Sequence, residues 1–100
     1  MNYLQALANE VEAQLAPEHR PDDRGHELYR LYALLVLVRG EETSLKDVHD
    51  AWSTWMVAEQ PNHPALLPFN DLRPEQQEQD RPYLEAIHRA SRSDEGRETP

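Results

Sequence analysis

The sequence predicts an all-α fold: a single compact domain of four to five helices, with an extended, proline-rich segment (61–73) packed across them. Apolar residues recur at helical spacing in four stretches of the chain. Capping or helix-breaking residues bound these stretches, and no hairpin signal indicates a β-sheet. Since the chain has 100 residues, we expect one domain over residues 1–92 and a flexible polar tail over 93–100.

Two helices are predicted in the first half of the chain. The first runs from about Asn2 to Leu15 and begins at an asparagine, which is a favoured N-cap. The second follows a polar connection in which Asp22 or Asp23 is expected to cap it, and it stops at Gly40. Its C-terminal half is apolar nearly all round, so we expect it to be the central element and to be enclosed by protein.

A third helix is predicted from about Leu45 to Glu59, capped by Thr43 or Ser44. It is followed by the segment 61–73, in which three prolines within eight residues favour an extended path. Apolar side chains recur along this segment. We therefore expect it to pack on the helices and to wrap the second one.

The last part of the chain is predicted to contain two short helices, 74–80 and 82 to about 91, or one helix kinked at Pro82. The run from Glu75 to Asp80 is interpreted as a solvated helix face. Phosphate mimicry toward a nucleic-acid-binding protein is the alternative for this acidic run.

The composition excludes several classes of function. The formal net charge is -9, so we expect neither direct nucleic-acid binding nor attraction to anionic membranes. The longest apolar run, Tyr32 to Val38, is far shorter than the roughly 20 residues of a membrane-spanning helix. The absence of cysteine excludes disulfides and thiolate metal sites. With no secretory signal visible, we predict a cytoplasmic location.

Catalysis is not indicated by any motif. The serines lack the G-x-S-x-G pattern, and three glycines are too few and too scattered for a phosphate-binding loop. The five histidines show no spacing typical of a zinc site. We therefore predict that the protein is not an enzyme and uses neither a metal nor another cofactor.

Aromatic residues suggest a recognition surface instead. Trp52 and Trp55 lie three residues apart on one helix face, where they pack in the core or leave one indole as an anchor for a partner. His63 lies within the rigid proline-rich segment. Its ring either pins that segment by a bond to a backbone carbonyl or contacts a ligand.

Three stretches, 48–52, 63–72 and 76–81, together resemble the ryanodine-receptor (RyR) repeat domain. That family shows a His-x-x-Trp helix, a His-Pro-x-Leu-x-Pro-aromatic-x-x-Leu segment and an acidic helix ending in Asp-Arg. The matching residues are His49, Trp52, His63, Pro64, Leu66, Pro68, Phe69, Leu72, Asp80 and Arg81. The likeness covers about residues 48–90, without the longer Gly-Trp and Tyr-Gly insert usual in the family. The whole chain is also similar to short uncharacterised proteins of actinobacteria and their phages.

The resemblance implies a small non-catalytic binding or adaptor module that recognises a protein partner or a small nucleotide-type ligand. We expect its recognition surface to consist of His49, Trp52, Trp55, Asn62, His63, Asn70 and Arg81. Arg81 would be the anion contact, unless it forms a salt bridge or a helix-end contact. The alternative is an acidic phage-type inhibitor that binds a host protein. The apolar stripe of the first helix, formed by Leu4, Leu7, Val11 and Leu15, is a candidate surface for a homodimer.

Overall fold

The computed structural model describes residues 2–16, 18 and 25–97, the last four by their backbone alone, and this part of the chain is all-α without a strand. The helices are α1 (Tyr3–Ala13), α2 (His26–Val38), α3 (Leu45–Glu59), α4 (Pro74–Glu78) and α5 (Arg81–Arg97). Single 3-10 turns occupy Gly40–Glu42 and Phe69–Asp71. None of the helices in the described ranges is long and apolar enough to cross a bilayer.

The second helix lies at the centre of the fold, as predicted, because α2 contacts α1, α3 and α5. Its Tyr32 is 1% exposed, and the ring meets those of Tyr29 and Tyr83 at centroid distances of 5.8 and 5.9 Å. Each surrounding helix adds one large, fully buried side chain: Val11, Val48 and Ile87. Burial of such a side chain contributes roughly 1.5–3 kcal/mol, so these contacts hold the four helices together.

The C-terminal half of α2 is not enclosed by protein, and that prediction was wrong. Leu34, Leu37 and Val38 are 48%, 43% and 64% exposed, whereas Ala33 and Val36 are buried. The neighbouring helices pack on one side of α2 and leave the other side open. Apolar composition alone does not show which side of a helix its neighbours cover.

The apolar stripe of α1 is buried in the core of the domain itself. Leu7, Val11 and Leu15 are at most 4% exposed, so this stripe is not spare as we expected for a dimer surface. The exposed apolar side chains lie on α2 instead. Whether the protein forms a homodimer stays a prediction.

The helix starts follow local capping signals. Asn2 Oδ1 accepts a hydrogen bond from the Gln5 backbone N at 2.7 Å, which confirms the predicted N-cap of α1. At the start of α2 the N-cap position is Gly25, which has no side chain to bond the helix. The predicted caps, Asp22 and Asp23, lie outside the described residues.

Ser44, rather than Thr43, caps α3. Ser44 Oγ accepts from the Asp47 backbone N at 3.2 Å, and Asp47 Oδ2 accepts from the Ser44 backbone N at 2.9 Å. This reciprocal pair satisfies two backbone donors that the first helical turn leaves unpaired. Thr43 lies one residue before this cap. Its hydroxyl donates to the Gly40 carbonyl at 2.7 Å and closes the turn after α2.

The proline-rich segment packs on the helices, but as a series of turns rather than as a straight extended chain. His63 N donates to Gln60 O at 3.0 Å, and Leu66 N donates to His63 O at 3.1 Å. The hydrogen bonds and ring contacts that hold the segment reach α3 and α4. Our expectation that it wraps α2 was wrong, because the chain turns back at Pro61 onto the helix it has just left.

The last two helices are separate, so the alternative of one kinked helix was wrong. Residues 79–80 form a turn, and α5 begins at Arg81 with Pro82 in its first turn, where proline's missing N–H leaves no helical bond unmade. The backbone of α5 continues to Arg97, into the range predicted as a tail. Residues 98–100 lie outside the described part, and the flexibility of the tail stays a prediction.

Gly40 ends α2 with a φ of +56°, a conformation that side-chain-bearing residues rarely adopt. Since nothing lies within 4 Å of a Cβ added there, the strain would come from the backbone alone. We expect Gly40→Ala to lower the free energy of unfolding by about 1–2 kcal/mol in urea denaturation. Gly40→Asn should lose less, because asparagine tolerates this region better. Equal losses of stability in the two variants would show that the positive φ of Gly40 is not the source of the strain.

Candidate functional site

His49 on α3 joins the helix to the proline-rich segment. Its side chain is buried, at 3% exposure, and Nε2 lies 2.7 Å from the Leu67 carbonyl oxygen. Because a carbonyl oxygen only accepts, Nε2 must carry the proton and donate it. The His49 ring also lies against Phe69, at a centroid distance of 6.2 Å. This residue therefore holds both ends of the 67–69 turn on the helix.

Trp52, one turn further along α3, is fixed between two imidazole rings. It stacks on His49 at a centroid distance of 5.7 Å and an interplanar angle of 22°. The ring of His63 meets it edge-on, at 5.1 Å and 81°. The i, i+3 spacing of His49 and Trp52 places the two rings on one side of the helix, and the segment folds back to add the third.

His63 pins its own loop and also faces the site. The backbone N–H of Ala65 donates to His63 Nδ1 at 3.0 Å, so Nδ1 is the unprotonated nitrogen. The sequence suggested a loop-pinning histidine that donates to a carbonyl. The observed bond has the opposite direction, because the acceptor is the ring itself. The same ring forms a wall of the cavity described next.

Two adjoining cavities meet at the turn from α4 to α5, one between α3 and the proline-rich segment and the other between α2 and α3. The first, of about 240 Å³, is lined by His49, Trp52, His63, Ala65, Leu72, Gln76, Gln79 and Asp80. The second, of about 330 Å³, is lined by Leu28, Tyr32, Trp52, Trp55, Gln79, Asp80 and Tyr83. Trp52, Gln79 and Asp80 line both. We call the two cavities together the Asp80 site.

Asp80 lies half-buried at the junction of the two cavities. No hydrogen bond or ion pair joins its carboxylate to another described side chain, although its backbone oxygen accepts from Tyr83 and Leu84. Burial raises the pKa of Asp80, and the nearby ring of His49 opposes that rise only in part. Burial, followed by the charge of Asp80, likewise raises the pKa of Tyr32. The site thus holds a carboxylate that the fold desolvates without supplying a partner.

The structure brings together some of the residues that the sequence predicted for recognition. His49, Trp52 and His63 line the first cavity, and Trp55 lines the second. The indole nitrogen of Trp55 is buried, and no described group accepts its hydrogen.

The other predicted residues do not line the Asp80 site. Asn62 and Asn70 are exposed on the proline-rich segment. Arg81 is also exposed, and its Nε and Nη2 donate to the two carboxylate oxygens of Glu78 at 2.6 and 3.0 Å. The structure thus shows the salt bridge that was the alternative for Arg81, and its role as an anion contact stays a prediction.

Sequence reasoning missed Asp80 itself, together with Gln76 and Gln79 beside it. The acidic run was interpreted as solvated throughout, which holds for the exposed Glu75 and Glu78 but not for Asp80. A signal was present, because Gln76, Gln79 and Asp80 have i, i+3 and i+4 spacing, which places them on one side of a helical turn. Among the described residues, no group of three or more acidic or histidine side chains is placed to hold a metal ion.

The raised pKa of Asp80 gives a test of its environment. When a folded-state pKa exceeds the unfolded one, ionisation destabilises the fold, and this cost is absent below the unfolded pKa. We expect Asp80→Asn to raise the free energy of unfolding at neutral pH. The gain should disappear as the pH falls to the ordinary aspartate value of about 3.9. Urea unfolding at several pH values measures it, with the exposed Asp71→Asn as control. A loss of stability in Asp80→Asn at neutral pH would show that the carboxylate is well partnered.

Comparison with known proteins assigns the chain to a family. Residues 2–92 match the family model described as domain of unknown function (DUF7701). No curated protein and no solved structure matches the chain. The resemblance of about residues 48–90 to the RyR repeat stays a prediction. Because the matching model spans nearly the whole chain, the protein belongs to the DUF7701 family.

Proposed function

We propose that this protein is a small, non-catalytic binding module, related to the RyR repeat and located in the cytoplasm, and that the Asp80 site is its recognition site. The observation that carries the proposal is the half-buried carboxylate of Asp80, which lies beside fixed aromatic rings and has no hydrogen-bond or ion-pair partner among the described side chains. Desolvating such a group costs free energy. Groups of this kind concentrate at functional sites, where stability is exchanged for binding.

The chemistry of the lining residues supports binding rather than catalysis. The ring nitrogens that the structure shows in use are committed to backbone groups: His49 Nε2 to Leu67 O, and His63 Nδ1 to Ala65 N. Among the described residues, no serine, threonine or cysteine lines either cavity. Catalysis by a hydroxyl or thiol nucleophile needs such a group within hydrogen-bonding distance of a base.

Of the two ligand classes, a protein partner is better supported than a nucleotide. A phosphate group needs a cationic contact, and the expected one, Arg81, is bound to Glu78 outside the cavities. Within the described lining the formal negative charge of Asp80 repels phosphate. The two cavities are small, about 240 and 330 Å³, and they suit a side chain inserted from a protein surface.

Nucleotides should therefore leave the melting temperature unchanged. A ligand that binds the native state alone raises the melting temperature, by an amount that grows with the logarithm of its concentration once that exceeds Kd. We expect no shift with mono-, di- or triphosphates or with cyclic nucleotides in a thermal-shift series. A shift that Asp80→Asn enlarges would favour an anionic ligand at this site and contradict a protein partner.

A second candidate is an acidic inhibitor that binds a host protein through a different face. It is favoured by the exposed apolar side chains of α2, Leu34, Leu37 and Val38, followed by the exposed acidic residues Glu41 and Glu42. Apolar side chains at the centre with charge at the rim are typical of an interface. Binding driven by such charge weakens steeply as salt rises.

Site-specific photo-cross-linking separates the two candidates. A photoreactive amino acid at Gln79 reports on the Asp80 site, and one at Val38 reports on the open side of α2; both positions are exposed. In cell extract we expect one discrete cross-linked protein from Gln79 and none from Val38. Asp80→Asn should abolish the Gln79 product, whereas Asp71→Asn should keep it. A product from Val38 alone would contradict the proposed site and support the inhibitor.

A further inference from the structure

We infer that the Asp80 site binds a guanidinium group, the cationic end of an arginine side chain. This inference rests on the proposed binding function and adds the chemical class of its ligand. It is based on the negative charge of Asp80, which has no positively charged side chain beside it in the two cavities. Asp80 is the one carboxylate among the described residues that line the two cavities, and no lysine or arginine lines them.

The described part of the chain compensates this charge only in part. Arg81, next in sequence, gives both of its bonds to Glu78. His49 attracts the carboxylate, yet its Nε2–H is spent on the Leu67 carbonyl, and burial still outweighs the attraction in setting the pKa of Asp80. A positive group from outside the molecule would complete the compensation.

Ligands that are anionic or purely apolar would raise the free-energy cost of keeping Asp80 ionised. A phosphate or carboxylate would meet a like charge in a partly desolvated setting, where repulsion exceeds its value in water. A purely apolar ligand would bury the carboxylate further and leave it unpaired, which costs more than the contact returns. Compared with these ligands, a cation gains from the charge that is already in the site.

The aromatic walls favour guanidinium over ammonium. Trp52 lines both cavities, and Trp55 and Tyr83 line the second. Guanidinium is planar, stacks on aromatic rings and is more weakly hydrated than ammonium, so it enters such a site at a lower desolvation cost. It also pairs with a carboxylate through two parallel hydrogen bonds.

The dimensions suit one side chain. The cavities measure about 240 and 330 Å³, at or below the lower end of the roughly 300–1,000 Å³ typical of sites for drug-sized molecules. An arginine head with its apolar stem against Trp52 fits this scale, since the stem packs on apolar surface while the head keeps its bonds.

Paired ligands that differ only in charge test the inference. N-acetyl-arginine amide and its neutral isostere, N-acetyl-citrulline amide, are titrated into the full chain while the indole N–H signals of Trp52 and Trp55 are followed by NMR. We expect the arginine compound to shift these signals and to bind at least about tenfold more tightly than citrulline. Asp80→Asn should remove the difference, whereas Asp71→Asn should keep it.

Two further titrations identify the molecule that supplies the guanidinium and the cation that the site prefers. Tighter binding of a single-arginine peptide than of free arginine would assign the group to a protein partner, and equal binding would assign it to the free amino acid. N-acetyl-lysine amide binding more tightly than the arginine compound would overturn the choice of guanidinium.

Equal binding of arginine and citrulline, retention of the difference in Asp80→Asn, or no response to any arginine compound would overturn the inference. A partner still cross-linked from Gln79 would then leave the proposed function standing without its cationic ligand. Failure of both experiments would remove the proposed function as well.

Discussion

The hydrogen bond from His49 Nε2 to the Leu67 carbonyl, 2.7 Å long, is the interaction on which the site depends. It is made by a buried side chain, so loss of either partner would leave an unsatisfied polar group, at a cost of about 1–3 kcal/mol. It holds a segment with several prolines against α3. Without it, the segment would lose this attachment to α3, and with it the support for the wall that His63 and Ala65 form in the first cavity.

The remaining geometry follows from that attachment. With the segment folded back, His63 reaches Trp52 and Leu72 is buried beneath it. Gln77 then bonds the Phe69 and Leu72 carbonyls at 3.0 and 3.1 Å and fixes α4. The turn that ends α4 places Asp80 between α2, α3 and α5, where burial raises its pKa. A raised pKa means that ionisation of Asp80 costs folding free energy, and a binding role accounts for a carboxylate kept in this position.

Local signals in the sequence predicted local features well. The N-cap at Asn2, the N-cap at Ser44 and the stop at Gly40 each depend on residues within one turn. The meeting of His49, Trp52 and His63 was also predictable, because two of them share a helix side and the third lies on the segment that follows.

Features that depend on tertiary packing were not predictable in the same way. The open side of α2 reflects which side its neighbours cover, and hydropathy carries no such information. Arg81 matches the predicted anion contact by position, yet Glu78 three residues earlier captures it. Asp80 belongs to an acidic run that is solvated elsewhere, and its burial arises only because α5 turns back against α2 and α3.

The central claim is that Asp80 is desolvated and lacks a counterion in the free protein. The most direct measurement is an NMR titration of its side-chain carboxyl carbon. We predict a midpoint above the ordinary aspartate value of about 3.9. A midpoint at or below that value would show a solvated or ion-paired carboxylate, and the Asp80 site would then lose the feature that marks it for binding.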